Sequence, residues 1–212
     1  MLAQEYWNTI GSKKNFADPI YTGKLAPFLT KDSKILEFGC GYGRLMQLLY
    51  TQGFHNLTGV DFAPNMITRG KELFPHLDMR LLEIEGNIPF DDRSLDGIVL
   101  STVLCCIPNK LEQAHLIHEI FRALKPKGIL YLSDFLITDH PRYQPKYTQG
   151  LQKWGEWGIY TTHENLTVRH HTTNYIMELL NRFDIQWFEQ FDFKTMNNNP
   201  IRTFHTIAQK PR

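Results

Sequence analysis

The chain of 212 residues has only three cysteines, Cys40, Cys105 and Cys106. An odd number with two of them adjacent argues against a disulfide framework, and a reducing cytoplasm is the simplest setting for such thiols. Net charge is almost absent: 23 Lys and Arg against 22 Asp and Glu leave +1. That balance gives no reason to expect a nucleic-acid backbone or an anionic membrane as the main partner. Long apolar runs are absent too. The longest, Ile98 to Ile107, is too short to span a bilayer and reads as a buried strand with its exit. The first residues, Met1 to Trp7, lack the basic-then-apolar order of a signal peptide. There is no internal repeat and no low-complexity linker. A metal site from His163, His170 and His171 has no supporting ligand spacing and no nearby cysteine pair, so no metal is expected.

What is present is ordinary globular composition, 42% apolar and 21% charged, in a length suited to one domain over residues 1–212. The most informative stretch is Ile35-Leu36-Glu37-Phe38-Gly39-Cys40-Gly41-Tyr42-Gly43-Arg44. Ile35, Leu36 and Phe38 suit a strand buried on both faces. Gly39, Gly41 and Gly43 permit tight backbone and close approach of a ligand. Leu45, Leu48 and Leu49 then carry a helical period, and a helix start at such a turn offers free N–H groups to a polar ligand. A dinucleotide fingerprint after Gly39 and Gly41 needs glycine at 44, where the chain has Arg44.

Strand and helix alternate from there. Strands are expected at about 34–38, 56–61, 79–84, 95–101 and 129–133. Helices are expected from Arg44 to about Gln52 with Gly53 as stop, from Pro64 to Phe74, and from Asn109 with Glu112 as a possible capping partner. Such alternation marks an open parallel sheet covered on both faces. Residues 1–30 read as one or two covering helices. Residues 135–171 read as a long polar and aromatic insert, usually functional or mobile at that length. Thr172 or Thr173 then caps a last helix. The alternation of Ile185, Trp187, Phe191 and Phe193, the turn at Asn197 to Pro200, and Thr203 to Ala208 suit a closing strand–turn–strand.

Glu37-x-Gly39-x-Gly41-x-Gly43 resembles motif I of the class I S-adenosylmethionine-dependent methyltransferases. Asp61, the Ile88-Pro89-Phe90 triplet and the Phe121-Arg122-Ala123-Leu124-Lys125-Pro126-x-Gly128 run resemble the same family. Together they cover roughly residues 33–134. The resemblance implies a Rossmann-like three-layer α/β/α sandwich on a seven-stranded, mostly parallel sheet whose last strand is antiparallel. It implies S-adenosylmethionine as cofactor and S-adenosylhomocysteine as product. Implied cofactor residues are Glu37, Gly39, Cys40, Gly41 and Gly43 at the turn; Asp61, a ribose ligand, with Phe62 and Met66; Gly86, Asn87 and Ile88 in the third loop; and Ser101, whose carbonyl sits where the family holds the methionine amine. Either Glu83 or Glu85 can meet adenine. Asp61 has a plain alternative as a helix cap.

Substrate contacts are expected from the N-terminal segment, the turn after the fourth strand and a lid at 135–171. The candidates are Tyr6, Trp7, Cys105, Trp154 and Trp157; sheet-edge cover and lid packing are the alternatives for the aromatics. Cys105 and Cys106 are small buried apolar residues or thiols for a soft ligand. No catalytic residue is evident beyond Arg169 as an anion clamp and His170 or His171 as a base. A sulfonium methyl is already activated, so the protein mainly has to place a nucleophile at about 3–3.5 Å and exclude water. The expected function is methyl transfer to a small molecule. The alternatives are an RNA or protein methyltransferase and a non-catalytic partner subunit that binds S-adenosylmethionine.

Overall fold

Strand β1 (Ile35–Phe38) is buried at all four positions, which is what a strand covered on both faces requires. Its neighbours in the computed structural model, which describes residues 3–212, are β2 (Leu57–Asp61) and β4 (Leu95–Ser101), both parallel to it. Side chains alternate between two cores because successive residues of a strand point to opposite faces. Leu36, Phe38, Ile98, Leu100, Leu130 and Leu132 share one core, whereas Ile35, Val99, Ile129 and Tyr131 belong to the other.

Strands β3 (Asp78–Leu81), β5 (Leu124–Leu136), β8 (Asp184–Lys194) and β9 (Pro200–Gln209) complete a seven-stranded sheet of order β3-β2-β1-β4-β5-β9-β8. Strand β9 runs antiparallel to both β5 and β8, so the expected antiparallel last strand is present. Helices α2 (Arg44–Thr51), α3 (Pro64–Leu73) and α4 (Lys110–Ala123) follow β1, β2 and β4. Pro64 stands in the first turn of α3, and Asn109 caps α4 by accepting the Leu111 N–H at 2.8 Å. The capping bond is local; Glu112 takes no part in it and faces a cavity.

Two expectations need correction. Residues 135–171 are not a loop. Strand β5 runs on to Leu136, and the rest holds helix α5 (Gln144–Trp154) and a hairpin of β6 (Ile159–Thr161) and β7 (Thr167–Arg169). The period is hidden because this unit packs through scattered tyrosines, Tyr143, Tyr147 and Tyr160, with Tyr6 from the N-terminus. The N-terminal cover, expected as one or two helices, has one α-helix, α1 (Ala3–Thr9), and two single 3₁₀ turns. Strand β3 ends at Leu81, short of Ile84, and has only Met79 buried, as suits the sheet edge. Helix α6 (Thr173–Leu179) starts as expected, with Thr172 accepting the Tyr175 N–H at 3.1 Å.

Candidate functional site

Parallel strands bring the ends of β1, β2 and β4 to one edge of the sheet, and the N-terminal segment and the α5–β6–β7 lid close over that edge. They enclose a cavity of about 410 Å³, within the range of small-molecule sites.

The glycine turn forms its floor. Gly39 and Gly41 have φ of +72° and +54°, conformations that L side chains adopt at a cost. They also leave no room for a side chain, since a Cβ on Gly39 would lie 2.5 Å from Val103 Cγ2 and one on Gly41 2.8 Å from Phe16. The turn is pinned from β2. Asp61 Oδ2 accepts the Gly41 N–H at 2.8 Å and Oδ1 accepts the Ala63 N–H at 2.9 Å. Each ionised oxygen has further acceptor capacity. Asp61 is therefore a turn anchor that also lines the cavity, and it does not cap α3, whose N-cap residue is Ala63. Burial pushes its carboxyl up, against the pull of those N–H donors.

Glu37, Cys40, Phe62 and Met66 line the same region, and Gly86 and Ser101 extend it. Glu37 is buried with Oε2 lacking any partner, and desolvation raises its pKa to about 8 despite nearby Arg44. The Ser101 carbonyl accepts the Thr102 hydroxyl at 2.8 Å. Thr102 itself has φ +53°, an unusual conformation for a β-branched residue. The sharp turn there sends Val103 and Cys105 into the cavity wall.

Two residues outside the expected set complete this end. Asp18, in the extended N-terminal segment, has Oδ1 buried without a partner; Arg44 donates to the Asp18 carbonyl while its Nε is buried and unpaired. Both line the cavity. Three residues that line one cavity, Glu37, Asp18 and Arg44, thus each hold a buried polar atom without a partner. Buried polar groups are ordinarily hydrogen-bonded, so such a cluster suits a polar ligand. Arg44 was readable as the departure from a dinucleotide fingerprint; nothing near Asp18 in the sequence marks it.

The remaining expected residues divide. Tyr6, Trp7, Cys105 and His170 line the cavity, and Glu85 does so where Glu83 does not. Gly43 caps α2 and packs against Met79. Asn87 bonds His115 at 2.9 Å, and Ile88 lies in the core. Trp154 and Trp157 are exposed and stand outside the cavity, Trp157 packing on the outer side of Tyr147. Arg169 is consumed internally, gripping both Glu156 oxygens at 2.8 Å and the Pro108 carbonyl at 2.7 Å. It is no free anion clamp. His171 is buried on Tyr175 with neither ring nitrogen hydrogen-bonded, and its burial lowers its pKa to about 3.

His170 touches the cavity but is held from both sides. Its Nδ1 lies 2.6 Å from the Tyr147 hydroxyl and its Nε2 3.2 Å from that of Tyr160. Desolvation lowers its pKa to about 3, so the ring is neutral and poorly matched to base work near pH 7. Cys105 and Cys106 have sulfurs 3.8 Å apart, and the contact with the Cys106 thiol, together with burial, pushes the Cys105 thiol well up. It therefore behaves as a neutral thiol. Among the described residues no group of three His, Cys, Asp or Glu is placed to hold a metal ion, and no helix is long and apolar enough to cross a membrane.

Comparison with known proteins adds to this geometry. Residues 36–132 match a family described as "Methyltransferase domain". A solved SAM-dependent methyltransferase from Methanosarcina mazei is 27% identical, superposes with a TM-score of 0.84, and is matched over 92% of this chain and 99% of its own. Cycloartenol-C-24-methyltransferase 1 of Oryza sativa is 29% identical over 53% of this chain and 33% of its own length. Demethylmenaquinone methyltransferase of Listeria welshimeri is 34% identical over 49% of this chain and 45% of its own. The chain thus spans a third to under half the length of these two curated relatives.

Proposed function

Because the chain belongs to the class I S-adenosylmethionine-dependent methyltransferase family, we propose that it transfers a methyl group from S-adenosylmethionine to a small molecule held beneath the lid. The observation that carries this reading is that Glu37, Asp18 and Arg44, each with one buried polar atom that lacks a partner, line the cavity together with the glycine turn. An amino-acid moiety has the matching charges, with its ammonium suited to the two carboxyl groups and its carboxylate to Arg44. Asp61 would take the ribose hydroxyls with its remaining lone pairs. Glu85 and Gly86 would border the adenine, with Phe62 and Met66 against its faces. The residues present therefore fit this cofactor.

When bound, the cofactor supplies a methyl group already activated on a sulfonium sulfur. The chain's own contribution is placement and dryness: the acceptor is held in line, and the lid excludes water. No general base is assigned. Arg169 is committed to Glu156, His171 faces away from the cavity, and His170 is neutral and bonded at both nitrogens. This suits an acceptor whose reacting atom is already nucleophilic or gives up its proton readily.

A small acceptor is favoured over RNA or protein by the near-zero charge and by the concave, partly covered cavity. The names of both curated relatives denote small molecules, a sterol and demethylmenaquinone. Calorimetry with S-adenosylmethionine and S-adenosylhomocysteine, followed by a labelled-methyl screen over metabolite pools, tests the proposal. Binding of both and transfer to a low-mass product are expected; no heat with either compound refutes it.

A further inference from the structure

Carboxyl groups and cationic side chains divide the cavity lining between them. Asp18, Glu37, Asp61 and Glu85 all lie toward the strand ends, where the cofactor reading above places a cation. Under the lid the sign reverses. Exposed Arg142 and half-buried Lys146 line that side, and neither has a carboxylate partner among the described residues, whereas Arg169 of β7 and Lys110 of α4 share Glu156. The acid nearest the lid, Glu164, is already neutralised: Lys14 lies 2.5 Å from one oxygen and the Tyr6 hydroxyl donates to the other at 2.7 Å. Glu112 is exposed at the start of α4.

The body of this compartment is aromatic. Lys146 Nζ stands 5.4 Å and 5.1 Å from the ring centres of Tyr143 and Tyr160, and Phe135 and Val168 add apolar wall. Arg142, in the turn before α5, and Lys146, in its first turn, are like charges on the same wall, and they repel each other unless an anion sits between them. Burial and the Arg142 charge both push the Lys146 ammonium down, a cost that a bound anion would relieve.

We propose that the methyl acceptor is a small planar molecule bearing a carboxylate, with that carboxylate between Arg142 and Lys146 and its flat body against Tyr143, Tyr160 and Phe135. The assignment rests on the methyltransferase reading and specifies its substrate class. An anion there also faces the positive sulfonium across the cavity, so opposite charges bring acceptor and donor together. A cationic acceptor would meet Arg142 and Lys146 unfavourably, and a neutral one would leave them unpaired.

The test is calorimetric titration, with S-adenosylhomocysteine saturating, of a hydroxybenzoate, an indole carboxylate and a naphthoate, each beside its own carboxamide. At least one carboxylate should bind roughly tenfold or more tighter than its amide, the effect of one charge-assisted pairing. The Arg142→Gln, Lys146→Gln double variant should lose that advantage and keep its affinity for S-adenosylhomocysteine, which reports an intact fold. Amides that bind as well as carboxylates, a panel in which no carboxylate binds, or a double variant with the advantage retained would overturn the assignment alone. Failure of S-adenosylhomocysteine to bind the parent would instead overturn the methyltransferase reading beneath it.

Discussion

Replacing Asp61 with asparagine separates its two roles. In the native protein both carboxylate oxygens accept backbone N–H groups, from Gly41 and from Ala63. Asparagine keeps one acceptor oxygen and turns an NH₂ toward the other N–H, leaving one buried donor unpaired. That costs about 1–3 kcal/mol of stability, measurable by urea unfolding. Cofactor binding should suffer separately, through loss of a charge-assisted bond to a ribose hydroxyl. Such a bond is worth about 1.5–3 kcal/mol, or roughly 10- to 150-fold in affinity. Calorimetry with S-adenosylhomocysteine reads this directly. An analogue lacking the ribose hydroxyls provides the control: it should bind the parent more weakly and lose little further on Asp61→Asn. If the substitution lowers stability but weakens S-adenosylhomocysteine and the deoxy analogue equally, Asp61 is only a turn anchor and its place in the cofactor site is wrong.

Two further outcomes test other parts of the cavity. Burial holds the Glu37 carboxyl at about 8, above its ordinary 4.5, so the free native protein keeps a proton there that the unfolded chain releases. Its contribution to stability is present below pH 4.5 and is lost as pH rises toward 8. Urea unfolding of the ligand-free protein should lose more stability across that window than Glu37→Gln does, and parallel curves would refute the assignment. In the lid, a Cβ on Gly150 would fall 1.6 Å from the Ile159 carbonyl oxygen, so Gly150→Ala must push α5 off the hairpin, at about 1–3 kcal/mol or more. Turnover should fall while S-adenosylhomocysteine affinity stays at the parental level; a parallel fall in both would place the lid on the cofactor.

The cofactor end was legible because its chemistry is local. A strand of apolar residues, a turn that demands glycine, and an acid at the next strand end are each set by a few contiguous residues. Parallel pairing of β1, β2 and β4 then brings those ends together without further information. The choice between Glu83 and Glu85 was not local. It depends on where β3 stops, and that is decided by its edge pairing with β2.

The lid shows the limit more sharply. Arg169, His170 and His171 are adjacent and chemically suited to catalysis, yet they end in three surroundings: a grip on Glu156, a slot between two tyrosines, and a stack on Tyr175. Extended backbone sends neighbouring side chains to opposite sides, so proximity in sequence guarantees separation of roles. Trp154 and Trp157 failed as candidates for a related reason. Helix α5 docks through Tyr147 and Gly150, which leaves the tryptophans outside.

By itself the sequence determined the order of strands and helices, the glycine turn and the acids beside it, because backbone conformation and apolar period are short-range properties. Tertiary structure alone decided that Asp18 joins that turn, that Arg169 is spent on an internal ion pair, and that Arg142 and Lys146 face a cavity without a counter-ion. Those outcomes depend on which segments pack together, from 13 residues apart for Arg169 and Glu156 to 26 for Asp18 and Arg44. Burial and charge pairing are fixed only once they have done so.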